Sequence, residues 1–441
     1  MKNFIFLIFF YKISIISLFS KDLIVDSNLS NGNGSTFFNS LTEAVNASSD
    51  GDIILVKDGN YSYEEILIDK SIKIRPFDVN SLVRIKSNIK VEFKEGNKIV
   101  EIIGLDLTDF SIKTWCKSCT DFSEVNIIRV KAKLIQARDQ EKLLTNVFNS
   151  EIEENVLVFG NVIKNKISGH LSVGHYTEMV GNPKMDEKLL ILGNEIGGKV
   201  FYEGKHPSLP IDVGYSISVA QEARELIIAN NKCEYGLVLG SWDYREGKTN
   251  LIHNNEFKSL FLISNDKVPR YNIKITSNKW TDLLMSRLTC SECTRNYVWS
   301  STYYDMDNYI SNIAYSGPLE FTRDFDSNYP DVSTPGFFIF TYNGVDYRQP
   351  YNYVSNVSAL NFDFILGQND PIDGGDPSHY FYDLDLTVNN RGVNGGPFSG
   401  DNLKIEGTDD LKAYIYYIDS PSDVFSGDKI NLKVKGYING N

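Results

Sequence analysis

The sequence predicts an all-β chain wound as a solenoid of parallel strands, with a helix at its start and a β-rich C-terminal region. Three observations carry that expectation. The composition is a strand-and-turn vocabulary, the segment after residue 36 follows one short helix with closely spaced strands, and a seven-residue phrase built around Asn recurs through the middle of the chain. A chain of 441 residues with 42% hydrophobic content can bury one large core or two to three ordinary ones. Its 12% aromatic content is too rich for disorder, and 26 Phe and 25 Tyr beside abundant Ile and Asn suit strands and tight turns. Five Met and thirteen Pro argue against a helical bundle or a Pro-rich stalk. The formal charge of −13 lacks the counterion-releasing basic footprint that phosphate backbones require, so no nucleic acid partner is expected.

The first element is an export signal over residues 1–20. Lys2 gives the positive start, Phe4 to Phe19 is apolar apart from Tyr11, Lys12 and small Ser residues, and Ser20 precedes Lys21-Asp22 as a small residue for cleavage. The alternative is an N-terminal membrane anchor, for which Lys12 makes a poor centre. No Cys follows the apolar run to take a lipid, and no later stretch approaches the ~20 apolar residues of a spanning helix. Losing Lys2 and Lys12 takes the charge to −15. The expected location is secreted, extracellular or at the cell surface, and the expected state is a monomer.

Next, Phe37-Phe38-Asn39-Ser40-Leu41-Thr42-Glu43-Ala44-Val45 places Phe38, Leu41 and Val45 at helical spacing. Gly51-Asp52 then turns the chain into the strand Ile53-Ile54-Leu55-Val56. Gly59-Asn60-Tyr61 is expected as a second turn, followed by strands at Ile66-Leu67-Ile68 and Ile72-Lys73-Ile74. A short amphipathic helix before such strands suits the cap of a stacked sheet.

The five cysteines fall as Cys116-Lys-Ser-Cys119, a lone Cys233 and Cys290-Ser-Glu-Cys293. In an exported chain the two C-x-x-C pairs are expected as disulfides, within or between pairs, with a four-thiolate zinc site as the alternative.

The repeated phrase has two or three apolar residues, a spacer, Asn, any residue, then an apolar residue. It occurs as Leu157–Ile163 around Asn161, Leu190–Ile196 around Asn194, Ile227–Cys233 around Asn231, Leu251–Phe257 around Asn255 and, varied, Ile273–Trp280 around Asn278. The Asn-to-Asn steps of 33, 37, 24 and 23 residues are those of a solenoid with loops inserted in some coils. Asn tolerates left-handed backbone angles at a bend and can bond to its counterpart one coil away. The apolar residue two places later should enter the core, which makes Cys233 a buried free thiol in the slot held by Ile163, Ile196, Phe257 and Trp280.

After about Trp299 the style changes. Aromatic and Asp-rich loops and terminal coils are expected to close the solenoid over 301–400, and Ala413–Tyr417 with Ile430–Val434 alternate like antiparallel strands of a small β appendage over 401–441. The solenoid itself is expected over 21–300.

Residues 40–72 closely resemble the opening of secreted right-handed parallel β-helices of the pectate-lyase-like superfamily. In that family an F-x-S-L-x-E-A helix leads to G-D-x-I-x-V-x-x-G-x-Y and a strand with K-S-I. The matching residues are Ser40-Leu41-Thr42-Glu43-Ala44, Gly51-Asp52-Ile53 through Tyr61, and Lys70-Ser71-Ile72. The resemblance implies a right-handed, single-stranded parallel β-helix capped by the N-terminal helix. Asp370–Pro377 and Asp383–Pro397 are similar to the closing phrase of many such bacterial proteins, with Leu386 for the usual Gly and Asn390 for the usual Asp.

Three constellations bear chemistry. Lys248-Thr249-Asn250 and Asn254-Asn255-Glu256-Phe257 are similar to the K-S-x-x-N-x-x-x-x-N-x-F phrase of chondroitinase B and alginate lyase-type enzymes, with a spacing two residues shorter. That likeness implies Lys248 as the base removing the proton alpha to a uronate carboxylate, Lys267 or Arg270 as its cationic assistant, and Asp243 as a calcium ligand. A cation beside the base eases its deprotonation, and calcium stabilises the enolate. The family's paired Gly-Glu-x-Glu carboxylates are replaced by Gly240-Ser241-Trp242-Asp243, and its Leu-Arg-His-Gly is missing; a solvated Lys on an ordinary coil is the plainer reading. His170 and His175, with His206 further on, form the second; five residues apart on one strand they would face opposite ways. Their Gly-His phrase is similar to that of β-helical polygalacturonases, without the Asp-Asp and Arg-x-Lys partners. The third is the cluster Asp370, Asp373, Asp376, Asp383 and Asp385, ligand types for a structural calcium, or solvated turns. Trp242, Trp299, Tyr303, Tyr304, Tyr347 and Tyr351 would stack on sugars or close the solenoid's end.

Two functions follow as expectations. One is a secreted enzyme acting on polysaccharide, most concretely a β-eliminating lyase on an acidic, uronate-containing glycan. The other is a non-catalytic extracellular β-helix that binds glycan or a partner surface. A chain this acidic repels a polyuronate unless calcium or a local basic strip intervenes.

Overall fold

The structure, a computed structural model, describes residues 20–138 apart from 31, 62, 79 and 80, then 142–174, 184–198, 200–201, 214–219, 222–239 and 250–257. From 260 onward it describes individual strands, the last Lys433–Ile438, and residues 278, 387 and 396. Residues 1–19 of the expected export signal lie outside these. Among the described residues no helix is long and apolar enough to cross a membrane. The chain is all-β with long parallel sheets, as the strand vocabulary predicts, and divides into two units at Asn146/Val147.

In the first unit, strands pair in parallel with a partner some twenty to thirty residues later, forming three stacks. One contains Asp22–Val25, Ile53–Val56, Lys73–Pro76, Ile99–Ile103 and Ser123–Ile128. A second contains Gly59–Tyr61, Val83–Ile85 and the start of Leu105–Cys116; a third contains Ile66–Ile68, Ile89–Phe93 and the end of that same strand. Leu105–Cys116 serves both because its register on Lys131–Arg138 shifts between Leu107 and Ser111. Inward columns such as Ile66, Ile89, Ile112 and Ile135 are fully buried, one residue per strand. Parallel ladders leave no slack for polar groups in such columns, and Thr114 is accommodated by a hydroxyl–hydroxyl bond to Thr145 at 2.7 Å.

The predicted helix forms over Leu41–Ala47, buries Leu41, Ala44 and Val45, and is N-capped by Ser40, whose hydroxyl accepts from the Glu43 N–H. Phe38 is not part of it: it pairs with Val25 in the short strand Phe37–Phe38, because the cap at Ser40 sets the helix start. Gly59-Asn60-Tyr61 is likewise a strand rather than a turn, pairing with Val83–Ile85. Gly59 sits at φ +151°, and a Cβ there would meet Ser27 Oγ at 2.5 Å. Tyr61 is buried, and its hydroxyl donates to the Lys57 carbonyl at 2.8 Å. The Asp52 carboxylate is buried as well, accepting the N–H groups of Lys21 and Ser49 at 2.8 Å each.

The second unit repeats one scheme. Val162–Ile163, Lys184–Leu192, Glu222–Ala229, Asn250–His253, Ile273–Thr276 and Glu292–Val298 stack in parallel. So do Glu151–Ile152, Lys166–Ile167, Glu195–Ile196, Lys232–Cys233, Glu256–Phe257 and Lys279–Trp280. Further on, Pro318–Asp324, Gly336–Tyr342, Val345–Tyr351 and Asn361–Leu366 form antiparallel pairs, and Ala413–Asp419 pairs antiparallel with Lys433–Ile438, as the alternation predicts.

Between the two second-unit stacks runs a ladder of buried amides. Asn165 Nδ2 donates to Asn194 Oδ1 at 3.0 Å, Asn194 to Asn231 at 2.8 Å, Asn231 to Asn255 at 2.9 Å and Asn255 to Asn278 at 2.9 Å. Each Oδ1 also accepts the backbone N–H of the previous rung. Asn161 is not a rung; its Oδ1 accepts the Leu190 N–H at 2.9 Å, and Asn165 takes the expected place. Ile163 is buried as expected, paired with Leu192, but the place equivalent to Ile196 and Cys233 is held by Ile167. The left-handed angle also lies elsewhere than expected. It belongs to the residue before four of the rungs, Lys164, Gly193, Asn230 and Asn254 before Asn165, Asn194, Asn231 and Asn255, with Asn149 before Ser150. Bend and ladder are two jobs on two adjacent residues.

Candidate functional site

Most of the candidate chemistry lies outside the described residues: Lys248, Lys267, Arg270, Asp243, His175, His206, Asp370, Asp373, Asp376, Asp383, Asp385, Cys290, Trp242 and Trp299. Cys293, Tyr303, Tyr304, Tyr347 and Tyr351 fall on described strands. Among the described residues no cluster of three or more His, Cys, Asp or Glu is arranged to hold a metal.

Three candidates are described in full. Cys116 and Cys119 form a disulfide with a Cα–Cα distance of 5.8 Å, so both thiols of that pair are committed and a zinc site using them is overturned. Cys233 is a buried free thiol, as its place in the repeat predicts, and burial, with the Glu256 charge, pushes its pKa well above the ordinary range. His170 immediately precedes the strand Leu171–Val173 rather than lying on it. It is half-buried, and that burial lowers its pKa to about 4, leaving a neutral imidazole at pH 7. Its backbone N–H is held by Asn155 Oδ1 at 3.0 Å.

The best-defined outward surface is the third stack of the first unit. Ile89-Lys90-Val91-Glu92-Phe93 and Ile112-Lys113-Thr114-Trp115-Cys116 alternate buried and outward residues, and they pair in register. Period-two alternation thus places Lys90, Glu92, Lys113 and Trp115 on one face. Glu92 is level with Trp115 and Lys90 with Lys113, on strands about 4.8 Å apart. Lys90 Nζ stands 5.7 Å from the Trp115 ring centroid and Lys117 Nζ 5.9 Å, while Lys90 also pairs with Glu92. The Cys116–Cys119 disulfide closes the turn that carries Lys117. Lys113 is exposed and Trp115 half-exposed, so a ligand has access to an indole bordered by ammonium groups. None of these four residues was singled out from the sequence, although the alternation Lys-x-Glu and Lys-x-Trp between apolar residues was there to be read.

No family model matches the chain, and neither a curated protein nor a solved structure matches it.

Proposed function

We propose that this chain is an extracellular right-handed parallel β-helix, with helix Leu41–Ala47 as its N-terminal cap, that binds an acidic polysaccharide. The observation that carries this reading is the Trp115 face. An indole offers an apolar plate for the C–H face of a sugar ring, and Lys90, Lys113 and Lys117 offer charge to carboxylate or sulfate groups. On a chain of net charge −13 this is the local basic strip that an acidic glycan requires. Strand spacing of about 4.8 Å matches the length of a sugar unit closely enough for successive residues of a polymer to meet successive strands.

Retention on alginate, pectate and chondroitin, against neutral glycans, is the test. Binding should weaken with salt, and Trp115→Ala should lower affinity about tenfold or more, corresponding to loss of a stacking contact of about 1.5 kcal/mol. Equal binding by Trp115→Ala would remove this face from the account. The lyase reading rests on the phrase Lys248-Thr249-Asn250 and on calcium at Asp243. Appearance of unsaturated uronate absorbance on the same glycans, dependent on calcium and lost in Lys248→Ala, would establish it; no absorbance with any of them leaves a binder.

A further inference from the structure

Two sets of asparagines in this protein stand in contrast. Those the fold buries, Asn146, Asn161, Asn165, Asn194, Asn230, Asn231, Asn254, Asn255 and Asn278, have no Ser or Thr two places on. Four exposed ones near the start do: Asn28-Leu-Ser30, Asn33-Gly-Ser35, Asn46-Ala-Ser48 and Asn60-Tyr-Ser62. One further Asn-x-Ser occurs in the chain, Asn356-Val-Ser358, outside the described residues. We propose that Asn28, Asn33, Asn46 and Asn60 are acceptors of N-linked glycans, so that the first coil carries a sugar coat. In that reaction the side-chain amide nitrogen bonds to C1 of an oligosaccharide and loses one proton, and the lipid diphosphate that carried the sugar leaves.

Position and chemistry agree at each site. Asn28 follows the strand Asp22–Val25, Asn46 lies in the last turn of the helix, and Asn60 points outward from Gly59–Tyr61. Asn33 uses its Oδ1 to accept the N–H groups of Ser35, Thr36 and Phe37, and one Nδ2 proton to bond Thr36 Oγ1 at 3.2 Å. The second Nδ2 substituent position carries the sugar in the folded chain, so these bonds are compatible with the linkage. Glycans are attached to the chain before it folds, so an acceptor at a ladder asparagine would bar the amide from its buried rung; the sequence keeps acceptors off those positions. The terminal strand Phe37–Phe38 is two residues long with Phe37 exposed, and a glycan rooted at Asn33 stands beside that sheet edge and hinders strand addition.

This proposal rests on the export reading of residues 1–20, and the experiment separates the two. The full chain, and residues 21–441 behind a heterologous signal, are expressed in a eukaryotic secretory host. The secreted protein is treated with peptide N-glycosidase, and Asn-to-Asp conversion is read by peptide mass spectrometry. Conversion at two or more of the four sites is the expected result, with loss of each site in Asn28→Gln, Ser35→Ala, Asn46→Gln and Asn60→Gln. Ser35→Ala is used so that the Asn33 Oδ1 bonds persist. Secreted protein with one site or none converted overturns the proposal. Glycosylation only behind the heterologous signal overturns the export reading and leaves the acceptor sites standing.

Discussion

The two units hold their bends by different means. In the first, left-handed residues also stand at bends, Gly104 and Arg129, but the side chains that hold the corners differ from one to the next: the Asp52 carboxylate on the N–H groups of Lys21 and Ser49, the Tyr61 hydroxyl on the Lys57 carbonyl, and the Asp50 carboxylate on the Ser71 N–H with Lys98 at 2.7 Å. In the second, successive corners use one device, a left-handed residue followed by a ladder asparagine. A corner built once can tolerate change locally. A corner built as a ladder shares each amide between coils, so damage at one rung leaves polar groups stranded on both sides.

The largest expected effect follows from that sharing. Asn231 donates to the Ile191 and Ala229 carbonyls and to Asn255 Oδ1, and accepts from both the backbone and the side chain of Asn194. Asn231→Ala leaves several of these partners buried and unpaired at about 1–3 kcal/mol each, so a loss of about 4 kcal/mol is expected from denaturant midpoints. Asn161→Ala, outside the ladder, should cost about half as much or less. Equal losses at the two positions would show that the ladder adds nothing beyond ordinary burial.

The same contrast explains what the sequence made legible. Repetition exposes itself: five occurrences of a phrase are enough to announce stacked parallel strands and to place Cys233 in the core. The phrase did not distinguish Asn161 from Asn165, because Asn161-Val162-Ile163-Lys164-Asn165-Lys166-Ile167 sets an apolar residue two places after each of two asparagines, and only pairing with Glu195–Ile196 selects the second. The Gly59-Asn60-Tyr61 strand was hidden for another reason. Gly-Asn is turn chemistry by composition, and what makes it a strand is its parallel pairing with Val83–Ile85, 24 residues further along the chain. The Trp115 face was hidden because its residues come together across strands, Lys90 opposite Lys113 and Glu92 opposite Trp115. Residues that act along one strand can be read in order; residues that act across strands need the register.

A one-off corner can be broken where it is tightest. In Gly59→Ala the added Cβ would stand 2.5 Å from Ser27 Oγ and 3.4 Å from the Tyr61 ring, at a φ that L-residues rarely adopt. Ser27 can swing away, so the expected cost is about 2 kcal/mol, read from thermal or denaturant unfolding. Hydrogen exchange should rise over Lys57–Tyr61 and Ser27 and stay unchanged along the ladder residues 194–255. Loosening of the ladder by this substitution would mean that the corners are not independent devices.

The smallest effect tests whether the repeat is a packing rule as well as a hydrogen-bonding one. Ile152, Ile167, Ile196, Cys233, Phe257 and Trp280 occupy equivalent places one residue past Glu or Lys, and Cys233 is the smallest of them. Cys233→Ile adds apolar surface at a slot whose neighbour above is already Ile196, so stability near pH 7 should change by no more than about 1 kcal/mol in either direction. The pH dependence separates the two proteins more clearly. Burial raises the folded pKa of this thiol above its ordinary 9.0, so the unfolded chain loses the proton first. The stability this group contributes is complete below that value and falls as pH climbs past it. The isoleucine variant lacks this loss, so its advantage over the parent should grow from pH 8 to pH 10. In the parent, native Cys233 should resist alkylation until the chain unfolds, because reaction requires an accessible thiolate. Rapid alkylation of the native protein, or a stability difference that does not move with pH, would place this residue outside the core column and break the repeat at its third rung.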